Sequence, residues 1–413
     1  MDLGPLILPG ELHIPPSITL PPLATADLCA MHRRYFGRDP EVVTHAPGRI
    51  SLLGGHADYN EGFVLPVAIA LFTHASISAR EEGAAGSAEV RSMNVGEACR
   101  LGAEAAPASL PPWARYLHGV VAEFAELGHR LPPFDLLVHG ELPIGSGLSS
   151  SASMTVAAAT ALARRFHLGL DGVALVRLCR RAEERHAGVG CGVMDPFAAC
   201  LGRHGKALFL DCRTLEHEEI PIAPDLRLLV LDSGVRRTLA GSEFMDRRRE
   251  CDRAVHEIRN LLGTPITALR DVSADRLLEV IDRLPSPLRL RAAHVVSDLA
   301  RSVRGVEALQ AGRYADFGEA MFETHASLRD LYEVSIPELD LLVEIAHATP
   351  GVIGARLTGA GFGGCVSAVA YADAVPRLQE ALAARFHSRF GTVPTATVYD
   401  SADGSWFTAE EIR

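Results

Sequence analysis

A chain of 413 residues is too long for one ordinary hydrophobic core, so two domains are expected. Its 48% hydrophobic and 22% charged residues are those of a globular protein with ample core material. The net charge of −11 argues against nucleic acid or an anionic membrane as a partner, but not against a nucleotide, whose phosphates are met by local arginines and backbone N–H groups.

Residues 1–25 are proline-rich and read as an arm on the surface. The opening MDLGPLILPGELHIPP has no basic stretch and is broken by prolines, so no signal peptide is predicted. A helix is predicted over 26–38. Short strand-like runs follow at 42–44 and 50–53, punctuated by Pro47, Gly48, Gly54 and Gly55. Residues 63–78 predict one further strand or two. This longest apolar run, extended to Ala79, contains Pro66, Thr73, His74 and two serines, and is too interrupted to span a bilayer. An amphipathic helix is predicted over 113–127, a strand over 134–138, and helices over 152–166 and 172–187. The chain turns polar at 211–224, the predicted boundary between domains of 1–213 and 214–413. A strand at 226–231 and a helix-dominated stretch over 243–347 come next. A glycine-rich loop at 358–364 and a strand at 365–371 follow. Helices and strands mix without a regular βαβ repeat, which predicts an α+β fold. Eight cysteines run from Cys29 to Cys365 without a CxxC pair, so reduced thiols in the cytoplasm are expected rather than disulfides or zinc.

Three segments could carry chemistry. The first is Pro143-Ile144-Gly145-Ser146-Gly147-Leu148-Ser149-Ser150-Ser151-Ala152-Ser153, with a strand leading in and a helix leading out. Its glycines let backbone N–H groups converge, and the helix start adds free N–H groups and the positive end of the dipole. That arrangement suits a di- or triphosphate, and the serines could cap the helix, bind phosphate or hold Mg²⁺. No GK[ST] follows, so it is not a Walker A loop. A serine-capped helix after a glycine turn would read the same way. The second segment, Thr358-Gly359-Ala360-Gly361-Phe362-Gly363-Gly364, matches GxGxxG, but a strand follows it, which disfavours a dinucleotide fold. Backbone in close contact with another loop or a nucleotide is expected there. The third is Cys191-Gly192-Val193-Met194-Asp195-Pro196-Phe197. Pro196 biases Asp195 out of the helical region and suits a first helical position, which puts Asp195 at a helix N-cap. A partner for its carboxylate could be Arg49, which opens a segment ending in His56, Asp58, Tyr59 and Asn60. Spacing alone does not bring the two together.

In combination these residues resemble the GHMP kinase superfamily, and within it most closely the galactokinases. APGRISLLGGHADYNEG at 46–62 resembles the signature GRxNLIGEHTDYNxG, LPIGSGLSSSAS at 142–153 the phosphate loop, and RLTGAGFGGCVSAV at 356–369 the third motif. CGVMDPF at 191–197 is similar to CGIMDQF, and VRRTLAGSEFMDRRRE at 235–250 to a further galactokinase block. The resemblance implies a two-domain α+β protein: a ribosomal protein S5 domain 2-like N-terminal domain and a ferredoxin-like C-terminal domain, with the active site between them. It implies ATP, Mg²⁺ and a monosaccharide as ligands. A monomer or weak dimer is expected, with neither nucleic acid nor membrane as partner.

By position, the resemblance makes Asp195 the catalytic aspartate and Arg49 its partner. His56, Asp58 and the backbone of Gly192 match sugar contacts. Glu183 with Ser151 or Ser150 matches the Mg²⁺ contacts. Nucleotide contacts would come from Pro143, Gly145, Ser146, Gly147, Leu148, Ser149, Ser150, Ser151, Ala152, Gly359 and Gly361, with Arg236 facing phosphate. Trp113 matches an aromatic against adenine, although a helix-face core tryptophan would read identically. Arg49 would hold Asp195 near the sugar hydroxyl, Asp195 would orient that hydroxyl and accept its proton, and Mg²⁺ with the loop amides would neutralise phosphate charge.

Three positions depart from the galactokinase pattern. Gly55 stands where the family carries a glutamate understood to contact the C6 hydroxyl, Phe244 where a sugar-contacting tyrosine is expected, and Pro196 where glutamine is usual. Phosphate transfer then looks preserved while one end of sugar recognition is altered. Phosphorylation of the anomeric hydroxyl of galactose or a galactose-like sugar is the leading expectation. Loss of the glutamate would also suit L-arabinose, which lacks C6, or galacturonate, whose carboxylate a glutamate would repel. A non-catalytic sugar and ATP sensor is disfavoured by the intact Asp195 and Arg49, and a non-sugar GHMP kinase by the polar HADYN segment.

Overall fold

The computed structural model describes residues 22–80, 87–102, 107–236 and 240–408. The expected arm therefore lies outside the described residues up to residue 21. After helix α1 (Thr25–Phe36), two long strands, β1 (Val42–Leu53) and β2 (Phe63–Ala79), pair antiparallel from Val42↔Ile77 to Leu53↔Leu65. The two runs expected at 42–44 and 50–53 are one strand. Register shifts at Pro47/Gly48 and Ser51/Leu53 absorb the proline and glycine without ending the ladder. The hairpin β3 (Ser87–Ser92) and β4 (Glu97–Gly102) was not expected from sequence. Helix α2 (Pro112–Glu126), strand β5 (Phe134–Gly140) and helix α3 (Ser150–Arg165) follow as predicted. Helix α4 (Gly172–Ala182) does not run to 187: it ends in a π-helical turn, Glu183–Ala187. Helix α5 (Met194–Leu201) comes next.

The polar stretch at 211–224 is not a linker. It is the turn and second strand of a hairpin, β6 (Lys206–Asp211) with β7 (His217–Pro221), and β6 also pairs with β2. A division after residue 213 would cut this hairpin. The change of sheet falls between Pro221 and β8 (Leu226–Asp232). Helices α6 (Ala240–Leu262), α7 (Ala274–Leu278), α8 (Leu288–Gln310), α9 (Tyr314–Asp330) and α10 (Pro337–Ala348) then precede a strand that sequence reading missed, β9 (Val352–Leu357). Strand β10 (Cys365–Tyr371), helix α11 (Val375–Phe390), strand β11 (Thr395–Tyr399) and strand β12 (Trp406–Thr408) complete the chain.

The first sheet has the order β12-β1-β2-β5-β3-β4, with β6 and β7 attached to β2. The second, β11-β8-β10-β9, is antiparallel throughout, and its chain order of fourth, first, third, second strand is that of a ferredoxin-like unit. Thr44 Oγ1 donates to Ala157 O of α3 at 2.7 Å and Ser153 Oγ to Ala46 O at 2.7 Å, which seats α3 flat on β1. A third apolar cluster joins the two units: Ile50, Val67, Ile69, Leu142 and Leu148 from the first pack with Leu228, Val230, Met321 and Val369 from the second. The chain's end returns to the first sheet, β12 pairing with β1. No helix among the described residues is long and apolar enough to cross a membrane.

Candidate active site

β1, the loop before α3, the start of α5 and the loop before β10 all end at one cavity of about 450 Å³. Arg49 projects from β1 and is almost fully buried; its Nε and Nη2 donate to Asp195 Oδ1 at 2.8 and 2.7 Å, and its Nη1 donates to Gly147 O at 2.6 Å. The pair proposed from sequence thus forms, and the same guanidinium ties it to the glycine loop. Asp195 is not an N-cap. Val193 holds that position, and Asp195 is the second residue of α5. Pro196 is tolerated there because first-turn N–H groups have no helical partner to lose.

Ser149 takes a left-handed conformation, φ 67°, at the N-cap of α3, and its Oγ donates to Asp195 Oδ2 at 2.6 Å. No side chain caps α3, so its first N–H groups remain available beside Gly145, Gly147, Ser150 and Ser151, which line the cavity. Other loop residues serve the loop itself. Ser146 Oγ donates to Pro143 O at 2.7 Å, and Leu148 and Ala152 are core residues.

Glu183 begins the π-helical turn and is buried. It accepts from Thr155 Oγ1 at 2.9 Å, Ser151 Oγ at 3.4 Å and Cys191 Sγ at 3.4 Å. Burial, opposed by these hydrogen bonds and reinforced by Asp195, raises its pKa to about 7. Asp58 is raised to about 6 by burial and then by Asp195. Among the described residues no three His, Cys, Asp or Glu side chains stand together as a metal-holding group, and Asp195 already has Arg49 as its counter-charge. Ser151 and Glu183 are hard oxygen donors of the kind Mg²⁺ takes.

The sugar signature lies on the other side of Asp195. Asp58 presses on Gly192, where a Cβ would fall 2.1 Å from Asp58 Oδ2, so only glycine fits. His56 lines the cavity; its Nδ1 is 2.8 Å from Tyr59 Oη, and its buried Nε2 has no hydrogen-bond partner of normal geometry among the described residues. Burial, with His294 and Arg356 nearby, drives the imidazole toward its neutral form, and the Ala360 backbone opposes this weakly. Phe244 packs its ring 5.7 Å from His56 and 5.4 Å from Tyr59. Gly55 does not line the cavity. Its N–H donates to Asp298 Oδ2 at 2.9 Å, and a Cβ there would meet Leu328 at 2.9 Å and Arg356 Nη2 at 3.1 Å. The buried Arg356 Nη1 has no partner among the described residues.

The glycine-rich loop at 358–364 touches the phosphate loop, one of the two alternatives read from sequence. A Cβ on Gly359 would lie 2.8 Å from Gly147 Cα, and one on Gly364 would lie 2.5 Å from Ser146 O. Gly361 packs instead on Val334 O. Besides Pro143, Ser146, Leu148, Ala152 and Gly361, the expected nucleotide residues Trp113 and Arg236 stand outside the cavity lining: Trp113 gives its Nε1 hydrogen to Glu97 at 2.7 Å, and Arg236 is paired in a fork with Asp232 at 2.7 and 2.8 Å. Sequence reading missed Tyr116, Ile144, the run Gly188 to Gly190, and Met245, all of which line the cavity, and Thr155 behind Glu183. The π-helical turn is a common mark of functional sites, but no sequence pattern announces it.

Three family models match: GHMP kinases N terminal domain over residues 115–203, the galactokinase galactose-binding signature over 30–79, and GHMP kinases C terminal over 306–388. The galactokinase of Roseiflexus sp. (strain RS-1) is 40% identical over 382 residues, which cover 92% of this chain and 97% of the relative. The human galactokinase is 40% identical over 380 residues, covering 90% and 94%. The structure of Lactococcus lactis galactokinase complexed with galactose superposes with a TM-score of 0.87 at 32% identity, covering 92% of this chain and 99% of that one. A mevalonate kinase structure, at 17% identity and a TM-score of 0.59, shares the fold over 87% of this chain.

Proposed function

The chain belongs to the galactokinase family of GHMP kinases, and from that membership we propose that it moves the γ-phosphate of ATP to the anomeric hydroxyl of galactose or a sugar of galactose configuration. It is a phosphotransferase with an alcohol group as acceptor, and ATP is its phosphate donor.

The observation that carries this reading is the Arg49–Asp195–Ser149 cluster at the junction of two half-sites. On one side lie the uncapped start of α3 and the glycine loop, fit for phosphates; on the other lie His56, Asp58 and Gly192, fit for hydroxyls. The role of Asp195 is to align the attacking hydroxyl and take its proton, with Arg49 fixing the carboxylate's direction. The loop amides and the α3 dipole would offset charge gathering on the transferred group. Glu183 and Ser151 would hold Mg²⁺, which when bound neutralises phosphate charge.

Asp195→Asn keeps the shape and removes the base. We expect sugar-dependent ADP release to fall about 10²- to 10⁴-fold in a protein that is still folded by circular dichroism, with a lowered unfolding midpoint because Arg49 loses its buried counter-charge. Full turnover in that variant would sink the role given to Asp195.

The missing glutamate at Gly55 leaves the sugar's far end open to a second reading. Leu328 and Arg356 stand where a side chain at Gly55 would start, outside the cavity lining, and the buried Arg356 Nη1 has no partner among the described residues. Within the same reaction, L-arabinose or galacturonate is then a candidate acceptor beside galactose. Gly55→Glu would supply a hydrogen-bond acceptor and a charge, and a turnover panel of these three sugars should shift toward galactose. An unshifted panel would remove the argument from this position.

A further inference from the structure

The turn that carries Asp58 is held from outside the cavity. Asp58, Tyr59 and Asn60 form one 3₁₀ turn between β1 and β2, and Glu61 closes it in a left-handed conformation, φ 57°. Such a conformation strains a residue that has a Cβ. Asp58 lines the cavity, and burial followed by Asp195 raises its carboxyl to about 6. Strain at Glu61 and repulsion between two carboxylates thus both work against the turn. Within it, the N–H groups of Asn60 and Gly62 donate to Ala57 O at 3.1 and 2.8 Å, and Asn60 Nδ2 donates to His56 O at 2.9 Å.

Contacts from both units oppose that strain and repulsion. Arg270 belongs to a short 3₁₀ turn, Leu269–Asp271, of the second unit, and its Nη1 donates to Glu61 O at 2.8 Å. The same guanidinium forks onto Asp211 at the end of β6, Nη1 to Oδ1 and Nη2 to Oδ2, the latter at 2.6 Å. It also lies 4.5 Å from the ring centre of Phe63, which opens β2. Arg213 donates from Nε to Glu61 Oε2 at 2.5 Å and from Nη2 to Asp271 Oδ1 at 2.7 Å. Cys212 N–H donates to Gly62 O at 3.0 Å. The polar turn of the β6–β7 hairpin therefore closes on the backbone that carries Asp58. A lone exposed ion pair contributes little, but a forked arginine–carboxylate pair inside a network is the exception, and here Arg270 and Asp211 are 19% and 17% exposed.

We infer that Arg270 is a positioning residue for the acceptor sugar: by tying the Glu61 carbonyl to Asp211, it holds the turn that presents Asp58 to a sugar hydroxyl. This rests on the reading of the Asp58 side of the cavity as the sugar site. Arg270 does not line the cavity, so it acts through the turn. The contacts it gathers fall on Glu61, Phe63 and Asp211 and not on the phosphate loop, so its effect belongs to the sugar rather than to ATP.

The test compares Arg270→Gln and Arg270→Lys with the parent. Glutamine removes the charge and the fork, whereas lysine keeps a charge that cannot fork. The KM for galactose should rise about tenfold in Arg270→Gln and about threefold in Arg270→Lys, while kcat and the KM for ATP stay within about twofold. Hydrogen exchange of the Asn60 and Gly62 amides should quicken about tenfold in Arg270→Gln, with exchange in α3 unchanged. The exchange readout needs no sugar, so a failure of the clamp is told apart from a failure of the proposed reaction. If Arg270→Gln is poorly folded, Arg213→Gln cuts the link to the Glu61 side chain, leaves the fork in place, and is read by the same measurements. Unmoved exchange at Asn60 and Gly62 overturns the inference. So does an equal rise in the KM for galactose and for ATP, which would report general loosening. Faster exchange with an unmoved KM for galactose overturns it too, and places the fault in the sugar-site reading rather than in the clamp.

Discussion

Arg49 and Asp195 lie 146 positions apart, and their ion pair was legible through the family resemblance alone, since spacing does not bring the two together. Thr155 was not legible. It reads as one more small residue of an alanine-rich helix, and only the packing of α3 against the π-helical turn brings it within 2.9 Å of Glu183. Trp113 marks the opposite case, a residue matched by resemblance whose indole N–H is already used by Glu97. Glu183 makes a pH prediction. With its pKa raised to about 7, the carboxyl is protonated and neutral below that pH, and a cation must displace the proton to bind. The Mg²⁺ concentration for half-maximal ADP release should therefore rise as pH falls below 7, approaching about tenfold per pH unit. Glu183→Gln should weaken Mg²⁺ dependence at every pH and flatten this slope. A slope that survives in Glu183→Gln would assign the titration to another group.

At the level of elements, helix and strand types were mostly readable because their apolar periods were long. The errors lie where local rules lost to tertiary contacts. Pro47 and Gly48 read as a break, but a register shift carried β1 through them, and Gly48 has no room for a side chain: a Cβ would fall 2.8 Å from Leu148 O. β9 was left unassigned between the helical stretch ending at 347 and the loop starting at 358, and its six residues, VIGARL, include a glycine. That glycine is required, for a Cβ on Gly354 would meet Gly318 Cα of α9 at 2.8 Å. The two glycine loops are the elements on which phosphate binding depends. Gly359 combines a φ of +78° with backbone of Gly147 at 2.8 Å, so Gly359→Ala is strained twice. We expect it to cost about 1–3 kcal/mol in denaturant unfolding and to raise the KM for ATP while leaving the KM for sugar nearly unchanged. A variant of parental stability and unchanged ATP dependence would show that this contact does not shape the phosphate loop.

For the whole molecule, the pattern of mixed elements was enough for the α+β class, but not for where the chain changes sheet. The polar residues near 211–224 are a solvated hairpin, and sequence alone does not separate a hairpin turn from a linker when both are polar. Nor does it show that β12 returns to β1, since three residues near the chain's end carry no periodic signal. What the assembled fold adds is a shared apolar cluster between the sheets, which brings the phosphate loop of one unit under the glycine loop of the other. The cavity at that junction holds one carboxylate paired with one arginine, between a phosphate-fit side and a hydroxyl-fit side. That arrangement makes a definite claim about which bond forms. The most direct test is carbon and phosphorus NMR of the product from galactose labelled at C1, incubated with the protein, ATP and Mg²⁺. The account predicts phosphorus coupled to C1, with one ADP released per sugar phosphate formed. Phosphate on another hydroxyl, or ADP released without any sugar phosphate from galactose, arabinose or galacturonate, would contradict it.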